Sequence, residues 1–168
     1  MKTIVNWSNQ VADDDKYMPH IFLAGPTNRT LTYKDSWRNK AVEYITNLGF
    51  EGMVHVPEFK EGVKWDDRYI KQQTMWEWDC LGFSEVIMFW VPRDKEEMIG
   101  LTTNVEFGRY ITLKPESVVL GYPEDAFRMR YLNTLYMHLA GKSATHTLAE
   151  TCQLAVTLAE NNFKNKQN

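Results

Sequence analysis

Short apolar runs alternate with longer amphipathic segments along most of this sequence. The apolar runs have the length of buried strands, and each of them ends close to a proline or a glycine. We predict four such strands, over residues 20–24, 52–58, 85–91 and 117–121. The other segments repeat their apolar positions every three or four residues, which predicts helices. These helices cover residues 36–48, 67–83, 103–113, 126–140 and 147–162.

Strands that alternate with helices predict an α/β fold with a parallel sheet, because each helix carries the chain back across the sheet to the next strand. We expect a flavodoxin-like (Rossmann-like) sheet of four to five strands flanked by helices. The first and third predicted strands should flank its switch point. We interpret residues 1–19 as an N-terminal extension and residues 20–168 as a single α/β domain.

The composition restricts the partners that we expect. The 168 residues carry a formal net charge of −3 and no basic stripe, which argues against a nucleic-acid partner. No run approaches the roughly 20 apolar residues of a membrane span, and the polar first residues predict no signal peptide. Cys80 and Cys152 are far apart and lack metal-ligand spacing, so we expect a reduced, cytoplasmic protein without a metal site.

Ligand sites in open α/β sheets lie outside the carboxyl ends of the strands, which directs attention to residues 100–108, after the third predicted strand. This segment carries polar side chains at Thr103 and Asn104, and it places Glu106 in the first turn of the predicted helix. Unpaired N–H groups and the helix dipole favour an ionised carboxylate there, as a nucleophile requires. The alternative is a capping box, whose spacing Thr103 and Glu106 also match.

A second carboxylate is available on the helix predicted over residues 67–83. Glu77 and Asp79 are two residues apart, so they point to different faces of that helix. Glu77 shares a stripe with Ile70 and Leu81 that we expect to meet the sheet, where its alternative role is a buried ion pair. Asp79 is expected nearer to solvent, where an ordinary surface charge is the simpler interpretation.

Several short motifs resemble the nucleoside 2-deoxyribosyltransferase superfamily, in particular its "nucleoside 2-deoxyribosyltransferase-like" branch. Their order and spacing cover most of the chain, from residue 21 to residue 121. The motif residues are Ile21-Phe22-Leu23-Ala24-Gly25-Pro26-Thr27, Ser36-Trp37-Arg38, Val56-Pro57-Glu58, Trp76-Glu77, Phe89-Trp90-Val91-Pro92 and Thr102-Thr103-Asn104-Val105-Glu106-Phe107-Gly108.

The resemblance implies an enzyme that cleaves or transfers the N-glycosidic bond of 2′-deoxynucleosides or their 5′-monophosphates. By position, Glu106 would be the nucleophile that forms a covalent deoxyribosyl intermediate. Glu77 takes the place of the family's helix carboxylate, normally Asp, and Asp79 is the alternative. A homo-oligomer is implied, because the family builds its sites across a subunit interface. We expect neither metal nor cofactor, because the carboxylate is the nucleophile and water or a second base is the acceptor.

The resemblance also implies which residues bind the substrate. Trp90 or Trp37 is a candidate to stack on the base, and packing in the core is the alternative for each of them. The residues expected to contact the nucleophile, the sugar and its 5′ end are Phe22, Gly25, Pro26, Thr27, Asn28, Arg29, Thr103 and Asn104.

Two departures from the family pattern define a rival hypothesis. Phe22 occupies the position where active members often carry a Tyr near the nucleophile, so the hydroxyl that would orient the carboxylate is missing. Pro26 and Asn28 stand where the 5′-monophosphate hydrolases carry a Ser and an Arg. The rival is a non-catalytic nucleotide-binding or sensing module that keeps the pocket and has lost the chemistry.

Overall fold

The computed structural model describes residues 2–5, 17–28, 35–58 and 66–167, so the candidate binding residue Arg29 lies outside the described residues. The strands are β1 (Lys2–Val5), β2 (His20–Ala24), β3 (Met53–Val56), β4 (Val86–Trp90) and β5 (Val118–Gly121). The helices are α1 (Trp37–Asn47), α2 (Asp67–Phe83), α3 (Leu101–Leu113), α4 (Arg130–Ala140) and α5 (Leu148–Gln167).

The five strands form one parallel sheet in the order β1-β3-β2-β4-β5. From β2 onward this is the predicted flavodoxin-like order, with β2 and β4 adjacent at the switch point. Phe22 on β2 lies opposite His55 on β3 and Ile87 on β4. Beyond β5, a parallel bridge joins Gly121 to Thr145. The prediction of an α/β fold with a parallel sheet and flanking helices is confirmed.

Strand β1 corrects the prediction that residues 1–19 are only an extension. It pairs with β3 along its whole length, from Lys2 opposite Met53 to Val5 opposite Val56. Thr3, Ile4 and Val5 are β-branched and suit a strand, but a run of this length gives no periodicity to recognise. The predicted boundary at residue 19 therefore separates an edge strand from the sheet to which it belongs.

Helices cover both faces of the sheet and create two apolar cores. Helices α1 and α5 lie on one face, where Ala41 and Cys152 are fully buried. Helices α2, α3 and α4 lie on the other face, where Leu81, Phe107 and Tyr136 are buried. Because both faces are covered, the central strands have buried side chains at every position and read as continuous apolar runs in the sequence.

Two helices have boundaries that differ from the predicted ones by several residues. Helix α4 begins at Arg130, after Arg128 adopts a left-handed φ of 53°, so the predicted helix over residues 126–140 loses its first turn. Helix α5 continues to Gln167, beyond the predicted end at residue 162. Across the described residues, no helix is both long enough and apolar enough to cross a membrane.

Candidate functional site

A cavity of about 540 Å³ lies at the carboxyl ends of β2 and β4, next to the switch point. Strand β2, the chain after it and the start of α3 supply most of its wall, and α1 and α2 each supply one charged residue. The lining residues are Phe22, Ala24, Gly25, Pro26, Thr27, Arg38, Pro57, Glu77, Glu96, Glu97, Ile99, Gly100, Leu101, Thr102, Thr103 and Glu106.

A second cavity of about 620 Å³ lies between residues 92–98 and 123–127. It is larger, but it contains neither of the two candidate catalytic glutamates and shares only Glu96 and Glu97 with the first cavity. Volume alone does not identify a site, whereas convergent titratable groups inside a cavity do. The cavity that contains Glu77 and Glu106 is therefore the candidate functional site.

Helix α3 begins earlier than predicted, which changes the position of Glu106. Gly100 precedes the helix with a left-handed φ of 66°, and no side chain caps the helix start. Since Leu101 is the first helical residue, Thr103 lies inside the first turn and Glu106 lies in the second. Both the predicted capping box and the predicted first-turn position of Glu106 are wrong, because a glycine in the left-handed region starts the helix without a hydroxyl cap.

The carboxyl group of Glu106 is held away from water. Burial and, to a smaller extent, the charge of Glu77 raise its pKa to about 7, and the charge of Arg38 opposes both effects. The expectation that helix N–H groups keep Glu106 ionised is wrong, because the second turn has no unpaired N–H groups to offer. Near neutral pH, Glu106 therefore exists both as carboxylate and as carboxylic acid, which is the condition for a group that exchanges protons.

Glu77 lies across from Glu106 on helix α2. The Gln73 side chain donates a hydrogen bond of 2.7 Å from Nε2 to Glu77 Oε1. Burial raises the pKa of Glu77, while the Gln73 hydrogen bond and the charge of Arg38 lower it. Because the two carboxylates repel each other inside one cavity, the pair favours a state with one proton, as two close carboxylates generally do.

Asp79 does not line the cavity, and its side chain is exposed. The stripe predicted for α2 is only partly right, since Leu81 is fully buried but Ile70 is 44% exposed. The buried face of α2 is instead shifted to include Tyr69 and Gln73. Of the two candidate carboxylates on α2, the structure brings only Glu77 together with Glu106.

Arg38 is a charged residue at this site to which sequence reasoning gave no role. Its side chain is 1% exposed, and its guanidinium donates through Nε to the carbonyl of Leu23 (3.0 Å) and through Nη2 to that of Gly25 (2.6 Å). Through Nη1 it also donates to Thr27 Oγ1 at 2.9 Å and to Glu58 Oε1 at 3.0 Å. Glu58 Oε1 also accepts the hydroxyl of Ser36 at 2.6 Å.

A signal for Arg38 was present in the sequence. Residues 38, 41 and 45 have the spacing of one helix face, and Ala41 and Ile45 are both fully buried on α1. A cation at a core-facing position must be paired, because an unpaired charge in an apolar environment is very costly. The sequence predicted α1 correctly, but only acidic residues were considered as buried charges.

Strand β2 and the loop after it supply four of the predicted binding residues to the cavity wall, Phe22, Gly25, Pro26 and Thr27, and α3 supplies a fifth, Thr103. Gly25 has a φ of 149°, and a Cβ atom there would lie 2.1 Å from the carbonyl oxygen of Trp90. The close approach of this loop to the end of β4 therefore requires glycine.

The remaining predicted binding residues point elsewhere. Asn104 is exposed and accepts a hydrogen bond from Arg93 Nη2 at 2.5 Å. Trp90 is 6% exposed and packs in the core, as the alternative interpretation had it. Trp37 donates a hydrogen bond of 2.9 Å from Nε1 to the carbonyl of Pro26, so it stabilises the loop after β2. Asn28 is described but does not line the cavity.

The described part of the chain contains no cluster of three His, Cys, Asp or Glu side chains that could hold a metal ion. The polar side chains that line the cavity are instead the glutamates, Arg38 and the threonines Thr27, Thr102 and Thr103. These groups can bind a polyhydroxylated ligand, hold or release a proton and present a carboxylate oxygen to an electrophilic carbon.

Comparison with known proteins agrees with this geometry. The family described as "Nucleoside 2-deoxyribosyltransferase like" matches residues 18–125, which include both glutamates of the cavity. A solved structure titled "Crystal structure of conserved protein from Enterococcus faecalis V583" is similar in fold, with a TM-score of 0.50 and 14% sequence identity. That likeness covers 89% of this chain and 99% of the other.

No curated protein matches this sequence. The structural likeness to the Enterococcus faecalis protein is a likeness of fold, since so low an identity carries no information about chemistry. The family match covers most of the chain, and it spans all the motif segments and the strands β2 to β5. The chain belongs to the nucleoside 2-deoxyribosyltransferase-like family.

Proposed function

We propose that this protein cleaves or transfers the N-glycosidic bond of 2′-deoxynucleosides, with Glu106 as nucleophile and Glu77 as the group that assists proton transfer. One observation carries this proposal: two half-buried glutamates on different helices line one cavity, burial raises the pKa of both, and the charge of Glu77 also raises that of Glu106. A pair of carboxyl groups, one ionised and one protonated, is the arrangement that glycosidic bond cleavage with retention uses.

The proposed reaction has two steps. An oxygen of ionised Glu106 attacks C1′, the bond from C1′ to the base nitrogen breaks, and the leaving base takes a proton that Glu77 delivers. Water or a second base then attacks C1′ of the deoxyribosyl-Glu106 ester, gives up a proton to Glu77 and releases the carboxylate of Glu106. Water as acceptor makes the protein a hydrolase, and a second base makes it a transferase.

The charged residues around the cavity affect whether a substrate with a 5′-phosphate can bind. Glu96 and Glu97 line the same cavity as the catalytic pair, so they would repel a 5′-phosphate. The guanidinium of Arg38 is already bonded to Glu58 and to the main chain. We therefore favour the uncharged deoxynucleoside over its 5′-monophosphate, with the hydroxyls of Thr27 and Thr103 as binding groups for the sugar.

The protein should also self-associate through the surface that borders the cavity. Leu101 and Val105 on α3 are 71% and 74% exposed, and Trp78 on α2 is 57% exposed. Leu101 also lines the cavity, and large apolar side chains exposed beside a site are typical of protein interfaces. Light scattering after gel filtration will give the mass in solution, and a monomer at micromolar concentration would contradict this part of the proposal.

A second candidate is a protein of the same family that binds a nucleoside without turnover. Phe22 favours it, because its ring lines the cavity and offers no hydroxyl to orient Glu106. Both candidates predict that the protein binds nucleosides, but only the first predicts that it cleaves them.

The deciding experiment is incubation with each deoxynucleoside and deoxynucleoside 5′-monophosphate, with and without a chelator, followed by chromatography for free base. A second base in parallel samples separates transfer from hydrolysis. A 2′-fluoro substrate analogue, which slows breakdown of the intermediate, should label the protein at Glu106. Binding by calorimetry without any release of base would support the sensing module, and loss of activity on chelation would contradict a metal-free mechanism.

A further inference from the structure

The hydrogen bonds of Arg38 connect three parts of the site that are distant in sequence. Its acceptors are the main chain at Leu23 and Gly25, the hydroxyl of Thr27 and the carboxylate of Glu58. Four of the five N–H groups of a guanidinium are thereby used. The chain after β2, the chain after β3 and helix α1 are consequently held in one arrangement beside the cavity.

We propose that Arg38 is a positioning residue of the active site: its hydrogen bonds fix the chain after β2 against the cavity, and its buried charge is the counter-charge for the two glutamates that line the cavity. This assignment deepens the proposed function and rests on it for its kinetic consequences. Its electrostatic consequences do not depend on turnover.

The count of charges explains why one buried arginine matters. Arg38 forms its direct ion pair with Glu58, at 3.0 Å, and both side chains are almost completely buried. It also lowers the pKa of Glu77 and that of Glu106, in opposition to burial. One cation thus faces three carboxylates, of which one is neutralised directly. The titratable groups that border Glu106 are Glu77 on α2, Arg38 on α1, Glu96 and Glu97 in the loop before α3, and Tyr110 on α3 itself.

Only arginine can make both contributions at this position. The planar guanidinium reaches two carbonyls, a hydroxyl and a carboxylate at once, whereas a lysine ammonium is a compact point charge with three donors. Replacement by Lys keeps the charge and loses part of the hydrogen-bond network. Replacement by Met keeps an unbranched side chain and loses both.

The first test is a titration of the ligand-free protein with ¹³C-labelled glutamate carboxyl groups, read by NMR and assigned with Glu106→Gln and Glu77→Gln. The wild-type Glu106 midpoint is expected near the pKa of about 7. Arg38→Met should raise it by on the order of 1 pH unit, because a nearby cation lowers a carboxyl pKa by about that much or more. Lys40→Met is the control, since Lys40 is exposed on the same helix, and it should leave the midpoint in place.

Glu58→Gln makes the test sharper, because its expected effect has the opposite sign. Without the carboxylate of Glu58, the charge of Arg38 is less neutralised and the total negative charge is lower, so the Glu106 midpoint should fall. A midpoint that does not move in folded Arg38→Met, or that stays or rises in Glu58→Gln, overturns the assignment. Glu58→Gln keeps the guanidinium and decides the question if Arg38→Met does not fold.

Kinetic measurements distinguish the effect of Arg38 on the position of the chain from the effect of its charge. In Arg38→Met, the acidic limb of the kcat/KM profile, which reports the free enzyme, should move to higher pH by the same amount as the NMR midpoint. In Arg38→Lys, the limb should stay within a few tenths of a pH unit while kcat falls about tenfold and KM changes little, because the chain at Gly25 loses its support. Equal, pH-independent losses in both variants would mean that Arg38 is only structural. Absence of turnover in the wild type would refute the proposed function and leave the NMR result standing.

Discussion

Buried titratable side chains lie at both ends of the sheet, on the face that α2 and α3 cover. At the carboxyl ends of the strands, Glu77 and Glu106 line a cavity of about 540 Å³. At the amino ends, His20, His55 and Cys80 pack against one another. Helix α2 contributes to both groups, since Glu77 and Cys80 lie within one turn of each other.

The side chains of the group at the amino ends pack closely against one another. His20 Nδ1 and His55 Nε2 are 2.8 Å apart, and their rings stack with centroids separated by 5.1 Å. Burial, together with the neighbouring His20, lowers the pKa of His55 to about 3. Burial also raises the pKa of the Cys80 thiol, whose sulfur lies 3.5 Å from His55 Nδ1. Neither the imidazole of His55 nor the thiol of Cys80 changes its protonation near neutral pH.

The comparison shows that burial and clustering do not by themselves make a functional site. Burial shifts the pKa values of both groups, because it disfavours the charged form of any side chain. It moves His55 away from neutral pH but moves Glu106 to about 7, where a proton can be both taken and given. The carboxyl end also provides open volume beside the shifted group.

The largest expected effect is the loss of activity in Glu106→Gln. Removal of a nucleophile costs several powers of ten, so kcat/KM should fall at least about 10³-fold while nucleoside binding persists. His55→Gln is the matched variant at the amino end, and it should keep kcat/KM within about threefold of wild type in the fraction that folds. Retention of turnover by Glu106→Gln would falsify the assignment of the nucleophile.

The next largest effect on activity is expected for Glu77, and it should differ from the effect of Asp79 on the same helix. Glu77→Gln is expected to lower kcat about 10²-fold, because it removes the group that moves the proton. Asp79→Asn should stay within about twofold of wild type, since Asp79 is exposed and does not line the cavity. Steady-state rates of both variants at one pH are sufficient, and similar losses in the two would show that Asp79 also acts in the reaction.

The pH dependence of kcat/KM should report the titration of Glu106 at the carboxyl ends of the strands and not that of the side chains at the amino ends. The nucleophile acts as a carboxylate, so kcat/KM should rise about tenfold per pH unit below the apparent pKa of Glu106, and it should fall again at the higher pH where Glu77 no longer carries the proton that it delivers. That pKa should lie near the value of about 7 for Glu106. A profile that is flat between pH 5 and 8 would mean that Glu106 is already ionised at pH 5.

The positions of the elements and of the two glutamates could be inferred from sequence, for identifiable reasons. Apolar runs and helical spacing are local, and they predicted β2 to β5 and all five helices within a few residues. The motif from residue 102 to residue 108 pointed to Glu106, and helical phase separated Glu77 from Asp79. These are properties of neighbouring residues, so they need no knowledge of the tertiary structure.

The features that sequence reasoning missed depend on contacts between distant residues. The raised pKa of Glu106 results from its burial and from Glu77 on another helix. The role of Arg38 depends on carbonyls of β2 and its loop, and the edge strand β1 is stabilised by pairing with β3. The start of α3 depended on the backbone angle of Gly100, which the hydroxyl pattern at residues 102 and 103 obscured.

Stability should respond to Glu106 in a direction that the capping-box interpretation excludes. The folded-state pKa of about 7 lies above the ordinary value of 4.5, so the folded protein binds more protons and loses stability as pH rises between these values. Glu106→Gln should therefore be more stable than wild type at pH 8, by at most roughly 3 kcal/mol, and similar at pH 4. Urea denaturation at both pH values measures this, and a lower stability at pH 8 would indicate a capping role.

The smallest effect on activity is expected from Cys80→Ala at the amino end. Cys80 is 1% exposed and lies within one turn of Glu77, but its thiol faces His55 and not the cavity. The substitution removes a buried sulfur and its contact with the imidazole, so the free energy of unfolding should fall by about 1–2 kcal/mol. Because the raised thiol pKa keeps Cys80 neutral, no charge that acts on Glu77 is lost, and both kcat and the pH profile should be unchanged. A shifted acidic limb in Cys80→Ala would show that the two ends of the sheet are electrostatically coupled through α2, and that the group at the amino end takes part in setting the protonation of the site.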